Sequence, residues 1–277
     1  MPGGLVFGPA AWTPGEMLNA PAGAAQLPHE QSARAPHTRA ELVGVLERLG
    51  IGRTSGVTPA LVEQLRDLEG RRCRALVLNL LPTQPEFSMG HGLSLAGRED
   101  RRAGLAVIQR GVDERRVLLA PDRHDRRLRR IWKRVARDTP LGRDRAPLEL
   151  RPLLNRYPQA HPTTLLKTLF GRRLPVGQLP TRMHRLIVDP VTCWALGRWV
   201  RAGEPFFERP VQIFHVPSRA EPAAVPPAGT APRHARHTAP PAPRAILAIA
   251  HIGEPLQELC ARHGITLQTG DQLIVNG

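Results

Sequence analysis

The run from Leu148 to Gly171 constrains the fold of this chain most. Leu148, Leu150, Leu153 and Leu154 give Leu148 to Tyr157 the outline of a short helix. A break follows, Pro158-Gln159-Ala160-His161, and a second helix opens at Pro162, where a missing N–H has no intrahelical acceptor to lose. Leu165, Leu166 and Leu169 form its apolar face and Gly171 closes it. Helix, tight break, helix is the outline of a helix-turn-helix, whose second helix lies in the DNA major groove. On this reading Thr163, Thr164, Lys167 and Thr168 face the groove, the hydroxyls meeting base edges or phosphates and the ammonium meeting guanine or phosphate. Arg172 and Arg173, just past the helix, reach phosphates. Helix pairs of this size also occur in bundles that bind nothing.

Charge points the same way. The chain of 277 residues has a formal net charge of +15 and a pI near 11.4, which implies a polyanionic partner such as nucleic acid. Only Lys133 and Lys167 are lysines, and that bias towards arginine is partly a matter of codon use. The clearest helical pattern lies in Asp122 to Asp138, where Leu128, Ile131, Trp132 and Val135 form an i, i+3, i+4, i+7 stripe. Its other faces carry Arg123, Arg126, Arg127, Arg129, Arg130, Lys133, Arg134 and Arg137, a coat suited to phosphate contact, with Arg126, Arg127, Arg130, Lys133, Arg134 and Arg137 as the candidate contacts. The bland alternative is a solvated helix face.

The remaining segments read as follows. Residues 1–36, rich in Pro, Gly and Ala, form a disordered tail. Residues 37–97 hold a helix pair and an apolar segment. Thr38-Arg39-Ala40-Glu41 has the form of a capping box before a helix ended by Gly50, and Thr58-Pro59 opens a second helix ended by Gly70. Cys73 to Leu81 is a continuous apolar run that fits a strand or a helix equally. Residues 98–218 form a basic helical domain, in which Leu105 to Ile108 and Arg116 to Leu119 are shorter apolar runs that fit strand or helix, a small sheet or hairpin through Gly111 being one arrangement. Asp189-Pro190 caps a helix carrying Trp194 and Trp199, ended by Gly203. Residues 219–244 are a Pro/Ala-rich linker, in which His234 and His237 alone make a weak metal signal. Residues 245–277 make a small docking element: an apolar patch, a helix ended by Gly264, and a β-hairpin over Thr266 to Val275. The fold expected is therefore mainly α, a helix-turn-helix domain with minor β elements.

The run Lys167 to Pro180, KTLFGRRLPVGQLP, resembles a motif of the flagellar transcriptional activators of the FlhC type. The matching positions are Lys167, Leu169, Gly171, Pro175, Gly177, Leu179 and Pro180, and the likeness continues weakly around Trp194 and Trp199. It covers about Leu148 to Gly203 and implies a DNA-binding regulator with a partner regulatory subunit. FlhC-type proteins bind zinc through four cysteines; this chain has three, Cys73, Cys193 and Cys260, widely scattered, so that zinc site is not expected.

Neither a disulfide framework nor a metal signature follows from three scattered cysteines, and a reducing cytoplasm is the compartment expected. There is no membrane-length apolar run and no signal-peptide pattern. Nor is there a P-loop, G-x-S-x-G, H-E-x-x-H or dinucleotide fingerprint, and Asp122, His124 and Asp125 diverge around a helix axis. The expectation is a cytoplasmic, cofactor-free, non-enzymatic DNA-binding regulator of bacterial type that binds double-stranded DNA and self-associates or joins a partner subunit. Two alternatives stand beside it: a replication or maintenance protein of a plasmid or integrated element, and a protein-binding adaptor with an incidental basic surface.

Overall fold

The structure is a computed structural model, and it describes residues 36–52, 54, 57–83, 98–112, 114, 116–138, 147–203, 208–215, 244–251 and 253–266. The tail, the linker with His234 and His237, and the hairpin over Thr266 to Val275 lie almost wholly outside these residues.

The centre is a parallel sheet of four strands, not a helical bundle. Strands β1 (Ala75–Asn79), β2 (Val117–Ala120), β3 (Leu148–Leu150) and β4 (Arg185–Val188) lie in the order β3-β2-β1-β4, all parallel. Helices lead from each strand to the next: α3 (Arg98–Gly111) after β1, α4 (Arg126–Asp138) after β2, and α5 (Pro162–Phe170) with a 3₁₀ turn (Pro180–Met183) after β3. Before the sheet come α1 (Arg39–Arg48) and α2 (Leu61–Asp67); after it comes α6 (Pro190–Ala202). An antiparallel pair, β5 (Glu208–His215) and β6 (Arg244–His251), and α7 (Leu256–Arg262) complete the described chain. No described helix is long and apolar enough to cross a membrane.

This α/β architecture overturns the mainly helical expectation and with it the helix-turn-helix. The segment read as its first helix is β3 and an irregular stretch after it. Leu148 and Leu150 fit a period of two as well as a helix, and they stand level with Val117 and Leu119 of β2. Pro152 lacks the N–H that a helix interior would use. What settles the segment is hydrogen bonding to a strand some thirty residues earlier, which no local pattern records. Of the two short runs that fit strand or helix, Leu105 to Ile108 belongs to α3 and Val117 to Leu119 to β2. In α3 Arg101, Leu105 and Ile108 are buried at spacings of four and three, and Val112, just past the helix, continues the stripe.

Other local readings match the described elements. In α1 the Thr38 hydroxyl accepts from Glu41 N at 3.2 Å, and the Glu41 carboxylate accepts from His37 N at 2.7 Å. Helix α5 starts at Pro162 and ends at Gly171 in the left-handed conformation, with φ 72°. The ambiguous run Cys73 to Leu81 contains β1, whose five residues are all buried.

Sheet alternation sorts the core into two layers. Leu76, Leu78, Val117, Leu119, Leu186 and Val188 pack with α1, α2, α3, α4 and α6. Val77, Leu118, Ala120 and Ile187 meet Leu165 and Leu166 of α5 on the other face. Strand β1, from the first helix pair's segment, is thus hydrogen-bonded on both sides by strands from the basic segment.

Candidate polyanion-binding face

Helix α4 is fixed from beneath and charged from above. Leaving β2, the chain turns at Pro121 and Asp122, held by Arg123 N donating to Leu153 O at 2.7 Å. The Asp125 carboxylate accepts from Leu128 N at 2.8 Å and caps the first turn. Leu128, Trp132 and Val135 are buried, so rotation of the helix about its axis is set by three apolar anchors. Opposite them Arg126, Arg127, Arg130, Lys133, Arg134 and Arg137 are all exposed. At the helical turn of 100° per residue these six fall within an arc of about 120°, along a rod of roughly 20 Å.

That arc is destabilising in isolation. Like charges stand four apart at Arg126 and Arg130, at Arg130 and Arg134, and at Lys133 and Arg137, each pair costing a few tenths of a kcal/mol. The first turn holds no acid, and Arg126 and Arg127 face the positive end of the helix dipole. Arg126, Arg127, Arg130, Lys133 and Arg134 have no ion-pair partner among the described residues. Arg129, by contrast, is turned aside and donates to Arg123 O at 2.6 Å. A polyanion laid along the arc relieves the repulsion and receives charge-assisted hydrogen bonds from an array already held in place.

The second group of sequence-selected residues is on the other side of the sheet. Thr163 and Thr164 are half-buried on α5, and Lys167, Thr168, Arg172 and Arg173 are exposed. Thr168 is tied to Gln159, whose Nε2 donates to its hydroxyl at 3.0 Å, and its hydroxyl in turn donates to Thr164 O. With α5 packed on the sheet and no helix before it, these residues do not form a groove-reading unit with one another. They also share no face with α4.

The carboxyl edge of the sheet is where open α/β folds hold ligands, at the point where strand order reverses. Here that point lies between β1 and β4, at Asn79 and Asp189, both buried. Both are already satisfied. Asn79 Nδ2 donates to Ala160 O at 3.0 Å and its Oδ1 accepts from Leu81 N. Asp189 Oδ1 accepts from Val191 N and Thr192 N, while Oδ2 accepts from the Thr54 and Thr192 hydroxyls at 2.5 and 3.0 Å. Asp189 acts as the N-cap of α6 and has little acceptor capacity left for a ligand.

Among the described residues no three His, Cys, Asp or Glu side chains are grouped to hold a metal ion. Cys73, Cys193 and Cys260 are free and buried. Burial drives the thiols of Cys73 and Cys193 up to about 12; the nearby Glu114 charge adds to the effect at Cys73, while at Cys193 Arg101 opposes it and Asp189 adds less. Such thiols are poor nucleophiles and poor ligands.

Sequence reasoning missed one feature, an arginine cluster at the amino edge of the sheet built from Arg74, Arg172 and Arg185. Its members lie in three separate segments, so spacing gives no sign of it.

The sequence matches no protein-family model and no curated protein. Among solved structures the chain is similar to a chain of NAD+-reducing [NiFe]-hydrogenase in its air-oxidized state, at 16% identity and a TM-score of 0.52. It is similar to the H2-reduced state of that enzyme at 18% identity and the same TM-score. In both cases the match covers 67% of this chain and 36% of the other, so this protein spans about a third of its neighbour's length. What the two share is the α/β fold.

Proposed function

We propose that this protein is a DNA-binding regulator that holds the duplex backbone along the exposed arc of α4. The observation that carries the reading is the set of five cations without an ion-pair partner among the described residues, on one arc of a helix whose orientation is fixed by Leu128, Trp132 and Val135. Charge repulsion within the arc favours a polyanion over any single small anion. Binding of this kind is backbone-directed: it gives affinity and steep salt dependence and little base discrimination. The regulatory part of the reading is supported by the likeness of Lys167 to Pro180 to FlhC-type activators, a stretch that here forms the end of α5 and the loop to the 3₁₀ turn. In this reading the chain binds and does not catalyse.

The test is fluorescence anisotropy of the full chain with a short labelled duplex over a range of salt concentration. The logarithm of the binding constant should fall linearly with the logarithm of salt, with a slope of about −4.5 if those five cations each neutralise a phosphate. Arg126→Ala, Arg130→Ala and Arg134→Ala together should flatten that slope by about 3 for every duplex sequence alike. Absence of binding at low salt, or a slope untouched by the triple substitution, refutes the reading.

A further inference from the structure

We propose that the amino edge of the sheet is a second anion site, in which Arg74, Arg172 and Arg185 bind a phosphate group. It is separate from the α4 arc and does not depend on it. Three elements bring the arginines together. Arg185 opens β4 level with Ala75 of β1, and Arg74 N donates to His184 O at 2.8 Å, so Arg74 and Arg185 start neighbouring strands. The Arg185 guanidinium lies over the Phe170 ring, 4.4 Å from its centre, at the last residue of α5. Gly171 then turns the chain in the left-handed conformation, and Arg172 follows directly.

Among the described residues no carboxylate pairs with Arg185. Arg185 is half-buried, its Nη1 reaches only His184 O at 3.3 Å, and its Nε is buried without a partner. Phe170 fixes the plane of the guanidinium by cation–π stacking and leaves its edge for an acceptor. Arg74 and Arg172 are exposed and have no ion pair among the described residues. Burial, then the charges of Arg74, Arg116 and Arg172, hold the Arg185 pKa below the ordinary arginine value, partly offset by Cys73.

The carboxylates of this end are committed elsewhere. Glu149 accepts from Arg116 Nε and Nη2 at 2.9 and 2.8 Å and from Arg151 at 3.0 Å. Asp67 is held by Arg71 and the Thr181 hydroxyl, and Glu114 has an interaction of its own. The carboxyl end of α5 carries about half a negative charge, too little to neutralise three guanidinium groups. The missing counter-charge is an oxyanion, and guanidinium forks match a phosphate in geometry and charge.

The experiment is calorimetric titration of the full chain with inorganic pyrophosphate at constant ionic strength. Saturable binding is expected, weakened about tenfold by Arg172→Gln and by Arg74→Gln, as loss of one charge-assisted contact implies. Both side chains are exposed, so these variants should fold. Arg185→Lys, which keeps the charge and loses the fork, should bind more weakly than the parent. The triple α4 variant should bind pyrophosphate as the parent does. Heat that never saturates, parental affinity in both Arg172→Gln and Arg74→Gln, or loss of affinity in the α4 variant overturns the site. Adding duplex DNA then identifies the source of the phosphate. Displacement of pyrophosphate that disappears in Arg172→Gln means nucleic-acid backbone, and simultaneous binding means a small phosphorylated molecule; both results sustain the site.

Discussion

Gly104 of α3 and Gly197 of α6 put two helix backbones in direct contact. A Cβ on Gly104 would stand 1.7 Å from the carbonyl oxygen of Cys193, and one on Gly197 would stand 1.7 Å from that of Asp100. Mid-helix glycine normally costs about 1 kcal/mol relative to alanine. Here the contact decides: Gly104→Ala should gain that propensity and still destabilise the protein by about 3 kcal/mol or more, since neither carbonyl can retreat without parting the helices. Urea unfolding of the variant checks this, and a stabilised Gly104→Ala would show that the two helices do not meet.

Gln64 serves as a substitute strand. Its Nε2 donates to Ile187 O at 2.7 Å and its Oε1 accepts from Ile187 N at 2.9 Å, closing the outer edge of β4 at that residue. Gln64→Leu keeps the bulk and orphans both groups of Ile187, each worth about 1–3 kcal/mol when buried and unpaired. Equilibrium unfolding should show a loss of about 2 kcal/mol or more, and light scattering should show more aggregation, since an open strand edge recruits other chains.

Asp189 caps α6 and collects the hydroxyls of Thr54 and Thr192. Asp189→Ala should cost about 2 kcal/mol, the upper end for loss of an N-cap, because Thr54 and Thr192 also lose an acceptor. The same variant should leave duplex affinity unchanged. A selective loss of binding with stability intact would move the functional site to the carboxyl edge.

Cys73 and Cys193 link stability to alkaline pH. An ordinary thiol titrates near 9.0, whereas burial raises both of these to about 12. The folded chain therefore retains protons that the unfolded chain releases. Their contribution is complete below pH 9 and is lost as pH rises from 9 towards 12. Each thiol adds up to about 1.4 kcal/mol per pH unit in that window. Unfolding free energies of the parent and of Cys73→Ala with Cys193→Ala, compared across it, should show a shallower decline in the double variant. An identical decline would refute the burial of these thiols.

How much could be read in advance depended on where each signal resided. The ends of α1, α5 and α6 were legible because a cap is a contact among close neighbours: Thr38 accepting from Glu41 N, Gly171 N donating to Lys167 O, Asp189 accepting from Val191 N and Gly203 N donating to Trp199 O. So was α4, because an apolar stripe of period 3.6 opposite a charged arc is a property of the helix alone. Leu148 to Leu150 was not legible as a strand. Three residues carry too little pattern to separate periods of two and 3.6, and a parallel strand is defined by a partner brought to it through an intervening helix. The same holds for β1, whose apolar run shows burial on both sides but not the conformation that is buried.

By itself the sequence determined the helix ends, the buried stripe and charged arc of α4, and the strongly basic balance of the chain. Only the tertiary structure decided that these helices flank a parallel sheet, that α4 and α5 lie on opposite faces of it, and that Arg74, Arg172 and Arg185 meet at one edge. The physical reason is range. Caps and amphipathic stripes are fixed by neighbours within a turn or two, whereas strand pairing and charge convergence are fixed by residues that only the folded chain brings together.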